Sequence, residues 1–100
     1  MSKESIIGYY VIIDEKNRIV VPSSIKKDLK IRNNKTKLFL QFYDRQLNVF
    51  LEKPRKGYFI PATIDSQRRF LIPKNTITKK IFKKMALVSE FNGGFSIFPR

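Results

Sequence analysis

Arg18 and Arg69 are the residues whose type and placement best suit chemistry. Each stands in a copy of one motif. Asp14-Glu15-Lys16-Asn17-Arg18-Ile19-Val20-Val21-Pro22 returns as Asp65-Ser66-Gln67-Arg68-Arg69-Phe70-Leu71-Ile72-Pro73, with the acid, the arginine and the proline each displaced by 51 positions. A repeat of about fifty residues is the mark of a duplicated structural unit. In each copy the arginine follows a polar turn and opens an apolar run. From there it can reach back to the turn acid, an exposed ion pair worth under about 1 kcal/mol. It can also project outward to a phosphate or a base edge, which its planar, always charged fork of donors suits. One arginine can do both. The turn tips add Lys16 and Asn17 in the first copy and Gln67 and Arg68 in the second. Lys74 follows the second motif. Lysines on the outer faces of two short expected helices complete the set: Lys26 and Lys27 in the first, Lys79 and Lys80 in the second.

The charge fits a polyanionic partner. The 100 residues carry 21 Lys and Arg against 8 Asp and Glu, a formal net charge of +13, and both halves are basic. Such an excess repels itself in a compact chain and attracts nucleic acid. A lysine-rich proteome or heat adaptation would account for many lysines, but less easily for so few acids. Catalysis is poorly provided for. The chain has no cysteine and no histidine, which removes thiolate ligands and the commonest general base. It has no glycine-rich phosphate loop, and no serine has a histidine to activate it. Asp14 and Asp65 are the only carboxylates matched between the copies, and stabilising a turn explains them better than catalysis. The sequence therefore points away from an enzyme and implies no cofactor, no metal and no small-molecule substrate.

One hundred residues suit one domain rather than two, because a unit of about fifty residues buries too little apolar surface alone. The expected plan is mostly β with two short helices. Residues 5–53 form one β-β-α-β-β repeat, 54–57 a linker and 58–100 a second repeat. In the first, strand 6–13, apolar on both faces and so expected to be buried on both, pairs back on 18–21 as a hairpin. Ser23 or Ser24 caps a helix with Ile25 and Leu29 inward, and Asn33-Asn34 ends it. Strands 37–43 and 47–52 follow. In the second, Pro61 places strand 58–64 at an edge or a bulge. Strand 69–72 pairs back on it, Asn75 or Thr76 caps a helix with Ile77 and Ile81 inward, and strands 85–91 and 95–98 flank a turn at Asn92-Gly93-Gly94. Nine Phe and four Tyr could stack on single-stranded bases, but most sit in strand patterns, such as Phe39, Phe42, Phe50 and Phe98, and core packing explains them better. Tyr9 and Tyr10 point to opposite faces, so one is expected at the surface. The longest apolar run, residues 6–13, is far short of the roughly 20 residues a membrane helix needs, and no signal peptide is readable. A soluble, cytoplasmic protein without a membrane partner is expected.

The stretch Ile13 to Pro22 resembles the signature of the AbrB/SpoVT/MraZ superfamily: an acid, two variable residues, usually Gly, then Arg, apolar residues and Pro. The second copy carries the same likeness, and each copy precedes a short helix and two strands. The resemblance implies a pseudo-twofold swapped-hairpin β-barrel in which the two repeats interleave as a fused, MraZ-like pseudo-dimer. It also implies a nucleoid-associated regulator of transcription that binds double-stranded DNA, with Arg18 and Arg69 foremost and Lys26 and Lys27 next. Two positions depart from the pattern. The usual glycine is Asn17 or Arg68, and the basic residues that some members carry before the acid are replaced by Val11-Ile12 and Ala62-Thr63. The alternative is a protein-binding module, an antitoxin of the MazE type or a partner of polymerase or another regulator. Such antitoxins grip their toxin with a disordered C-terminal extension, whereas this sequence runs to Pro99-Arg100 directly after its last expected strand. A homodimer or higher homo-oligomer stays open.

Overall fold

The computed structural model describes residues 8–74 and 80–100. The elements wholly within these residues are, in order, β1 (Tyr9–Ile12), β2 (Arg18–Val20), α1 (Ser23–Asp28), β3 (Lys37–Tyr43), β4 (Gln46–Phe50), β5 (Ile60–Thr63), β6 (Arg69–Leu71), β7 (Met85–Phe91) and β8 (Gly94–Pro99). Six strands make one antiparallel sheet ordered β1-β7-β8-β4-β3-β5, and β2 and β6 make a separate two-stranded ribbon. The sheet keeps two free edges, β1 and β5, and is not closed into a barrel. Pro61 lies in β5, at the edge its missing N–H requires. Among the described residues no helix is long and apolar enough to cross a membrane.

The hairpins expected at 6–21 and 58–72 do not form as ladders. β1 pairs with β7 and β2 with β6, while β5 pairs with β3. Only one rung joins the arms of each turn: the Asp14 N–H donates to the Arg18 carbonyl at 3.0 Å, and the Asp65 N–H to the Arg69 carbonyl at 2.9 Å. The reason lies in the short second arm. Three residues before a proline make a weak local ladder, whereas crossing to the other copy sets Ile19 opposite Phe70, both buried. The ribbon then covers one face of the sheet. Along β3, β4, β7 and β8 that face is Leu38, Leu40, Leu47, Val49, Ala86, Val88, Phe95 and Ile97, all buried in one cluster with Ile19, Val21, Ile25, Ile64, Phe70 and Ile72. The Phe70 and Phe95 rings meet edge to face with centroids 6.0 Å apart, which fastens ribbon to sheet.

The pairings share one symmetry. Shifting β1 and β2 by 51 gives β5 and β6, and shifting β3 and β4 by 48 gives β7 and the first five residues of β8. Exchanging the halves under these shifts maps every strand register onto another or onto itself. Two pairs map onto themselves and mark the axis: Ile19 opposite Phe70 in the ribbon, and Asn48 opposite Ser96 in the sheet. At the second pair the Ser96 hydroxyl donates to Asn48 Oδ1 at 2.7 Å. The shift drops from 51 to 48 because the connection from Pro22 to β3 is three residues longer than that from Pro73 to β7.

Other local expectations are corrected. β1 is not buried on both faces. It is an edge strand, and Tyr9, Tyr10 and Ile12 are exposed. No serine caps α1: Pro22 stands at the N-cap, and the Ser24 hydroxyl donates to the Tyr9 hydroxyl at 2.6 Å instead. The helix ends at Asp28, earlier than Asn33-Asn34, because Lys30 turns left-handed with φ 58°. The expected cap at Asn75 or Thr76 and the inward Ile77 lie outside the described residues. Residues 80 and 81 are helical, and Ile81 packs on the core beside buried Phe82.

Replacing Phe70 by alanine should destabilise the protein by about 3–5 kcal/mol, the usual result of truncating a buried aromatic. Urea unfolding measures this. A loss below about 1 kcal/mol would mean that the ribbon does not seal the core.

Candidate nucleic-acid interface

The two turns are built alike, atom for atom. Asp14 Oδ1 accepts the N–H groups of Lys16 (3.0 Å) and Arg18 (2.8 Å), and Oδ2 accepts Arg18 Nε at 2.9 Å. Asp65 Oδ1 accepts those of Gln67 and Arg69, each at 2.8 Å, and Oδ2 accepts Arg69 Nε at 2.8 Å. Asn17 and Arg68, at the position where the resemblance expects glycine, both adopt φ 67°, a strained choice for a residue with a side chain. Each is held by a bond across the axis. Asn17 Nδ2 donates to the Ile72 carbonyl and Arg68 Nε to the Val21 carbonyl, both at 2.8 Å. The two residues are thus clamps between the copies.

These bonds set the charge states. At Asp14 the Arg18 backbone N–H is the largest influence; with the Arg18 guanidinium and the Lys16 N–H it outweighs desolvation, the second largest, and holds the carboxyl below its ordinary value. At Asp65 desolvation is the largest single influence and pushes upward. The Arg69 N–H, its guanidinium and the Gln67 N–H together overcome it, so this carboxyl is lowered too.

The ribbon alternates. Ile19 and Phe70 face the core, while Arg18, Val20, Arg69 and Leu71 face outward. The register puts Arg18 opposite Leu71 and Val20 opposite Arg69. The arginines therefore sit diagonally on one outer face, with Val20 (41% exposed) and Leu71 (51%) on the other diagonal. With Nε tied to its aspartate, each guanidinium has its direction fixed before any ligand arrives.

Beside the ribbon is a basic cleft of about 560 Å³. Lys26 and Lys27 on α1 line it together with Lys30, Arg32 and Asn33 from the following loop and Arg68 from the other copy's turn. Five cations and no acid line it. The one acid of α1, Asp28, acts elsewhere: Glu90 on β7 is raised above its ordinary value, first by desolvation and then by the charge of Asp28 and a hydrogen bond with it. Of the candidates read from sequence, the cleft unites Lys26, Lys27 and Arg68. Lys16 and Gln67 are exposed at the turn tips, and Lys74 and Lys80 are exposed outside the cleft. Lys79 lies outside the described residues. Lys30 and Arg32 were missed. The signal for them was the three extra residues between Pro22 and β3, a loop whose backbone is tied to the second copy where the Asn34 N–H donates to the Ile64 carbonyl at 2.8 Å.

No protein-family model, curated protein or solved structure matches this chain.

Because the folded-state pKa values of Asp14 and Asp65 are lowered, their stabilising effect is present above the ordinary carboxylate range, near pH 4, and fades as pH falls through the lower folded values. Asp14→Asn with Asp65→Asn should lower Tm at neutral pH, and the gap to the unaltered protein should close as pH drops from about 4 towards 2. A gap independent of pH would assign the aspartates no role as charged turn acceptors.

Proposed function

We propose that this chain is a double-stranded DNA-binding protein of the AbrB-like kind, a transcription regulator and not an enzyme, and that its two repeats form one domain related to the swapped-hairpin barrels. The cross-copy pairing and the duplicated Asp-Arg turns support the fold relationship. The observation that carries the function is the cleft where Lys26, Lys27, Lys30 and Arg32 of one half meet Arg68 of the other, with no acid among its lining residues. Arg68 joins that cleft to Arg69 on the ribbon, so the two form one basic surface.

The division of labour follows from geometry. The major groove of B-DNA admits a two-stranded β-ribbon. On its outer face Arg18 and Arg69 offer the guanidinium edges beyond Nε to guanine or phosphate, and exposed Val20 and Leu71 suit the thymine methyl group. The cleft lysines, as mobile point charges, hold phosphates and fix register without reading sequence. Asn17 serves as a clamp through its Nδ2.

Binding should weaken steeply with salt, because each neutralised phosphate releases counterions. Arg18→Ala with Arg69→Ala should leave the fold intact and weaken duplex binding at least about tenfold, a modest demand for two arginine contacts worth about 1–3 kcal/mol each. A gel shift across a salt series tests both. Affinity unchanged by salt, or by the double substitution in a folded protein, would refute the reading.

A further inference from the structure

The tyrosines and phenylalanines divide cleanly. All four tyrosines are exposed and none of the nine phenylalanines is. Two of those tyrosines, Tyr43 at 70% and Tyr58 at 97% exposure, line one depression of about 490 Å³, away from the ribbon and the basic cleft. Phe42 and Ile60 are its accessible apolar lining, and Asn48 and Lys56 also line it. Its outer wall is the connection after β4. Gln41 Nε2 donates to the Lys56 carbonyl at 2.8 Å, Lys53 Nζ lies 5.6 Å from the centre of the Phe59 ring, and Gly57 takes φ 84° where the connection passes against Gln41.

We infer that this depression takes an unpaired nucleobase of a single nucleic-acid strand. Three observations point there. A tyrosine 97% exposed adds almost nothing to the core, yet here it stands with a second exposed tyrosine at the rim of an apolar hollow. That is the arrangement on which bases stack regardless of sequence. The segment carrying the wall holds Lys53, Arg55 and Lys56 within four positions, and Arg45 is at the β3–β4 turn beside Tyr43. These cations outnumber the local acids Asp44 and Glu52 and can follow the backbone of the same strand. Asn48, fixed by Gln46 and Ser96 through its Oδ1, donates its Nδ2 to nothing among the described residues, which leaves an amide donor for a base edge. The site is one-sided. Under the exchange of halves Phe42 and Tyr43 correspond to Glu90 and Phe91, so the matching place on the other edge has one aromatic fewer and an acid.

The site is separate from the duplex interface and does not depend on that reading. The test uses a fluorescein-labelled single strand of about 12 nucleotides, the length scale of one such groove, as DNA and as RNA, beside an abasic strand of equal length and a duplex. Fluorescence anisotropy follows each at constant salt. Tyr43→Ala with Tyr58→Ala should weaken base-bearing single strands at least about fivefold, the low end of losing a base–aromatic stack, while duplex and abasic binding stay within about twofold. Tyr43→Phe with Tyr58→Phe should restore single-strand affinity. The better-bound of DNA and RNA identifies the source of the base. The inference is overturned if the unaltered protein holds abasic and base-bearing strands equally, if the alanine pair leaves single-strand binding unchanged, or if a proline-rich peptide, the other ligand of tyrosine-lined grooves, occupies the site and the strands do not. Loss of duplex binding in the Arg18/Arg69 variant alone would leave this outcome untouched.

Discussion

The contact of Ile19 with Phe70 across the pseudo-twofold axis is the constraint on which the rest depends. Neither three-residue strand could bury its apolar residue well by folding back on its own neighbour. Pairing the two copies puts both side chains over the sheet at once, where Phe95 receives Phe70 edge to face. That choice forces β1 onto β7 and β5 onto β3, so each half of the chain closes its sheet on the other half. The turns are then held by cross-copy bonds from Asn17 and Arg68, which offset the strain of φ 67° at residues with side chains. The same pairing that buries Ile19 and Phe70 turns Arg18 and Arg69 outward, because side chains alternate along a strand.

The scarce acids matter as much as the many bases. Asp14 and Asp65 are engaged in the turns, where each neutralises one arginine locally and aims it. Asp28 shares a hydrogen bond with Glu90 on β7. The cleft between α1 and the second turn therefore keeps five cations without a carboxylate among its lining. Such an assembly repels itself, and at low ionic strength it is relieved when a polyanion supplies the missing charge. Symmetry of backbone does not extend to this surface. The connection after Pro22, three residues longer than its counterpart, carries Lys30 and Arg32 into the cleft.

Much of the fold could be read from residues. β3 and β7 fall where their apolar and aromatic runs place them, at Lys37–Tyr43 and Met85–Phe91, and of the edge or bulge that Pro61 allowed, its strand takes the edge. The turn acid bonded to its arginine is one of the two readings the spacing allowed. What periodicity could not supply was the partner of each strand. An apolar run such as β1 reads as buried on both faces, but its environment is set by where the sheet ends, and tyrosine, with a polar tip, can stand at that edge. The helix end was misplaced because Lys30 adopts a left-handed backbone that local propensity disfavours. At the candidate site, the cleft brings together Lys26, Lys27 and Arg68, three of the cations singled out by type and repetition. Lys30 and Arg32 were hidden in a loop whose path is fixed by a bond to Ile64 in the other half.

The most direct test of the central claim is an amide chemical-shift titration of the protein with a short DNA duplex at physiological salt. The account places the largest changes at residues 16–20, 26–33 and 67–71, the ribbon, its turns and the helix-flanked cleft, with the β4–β8 seam around Asn48 and Ser96 unmoved. Changes centred on that seam, or none at saturating duplex, would contradict it.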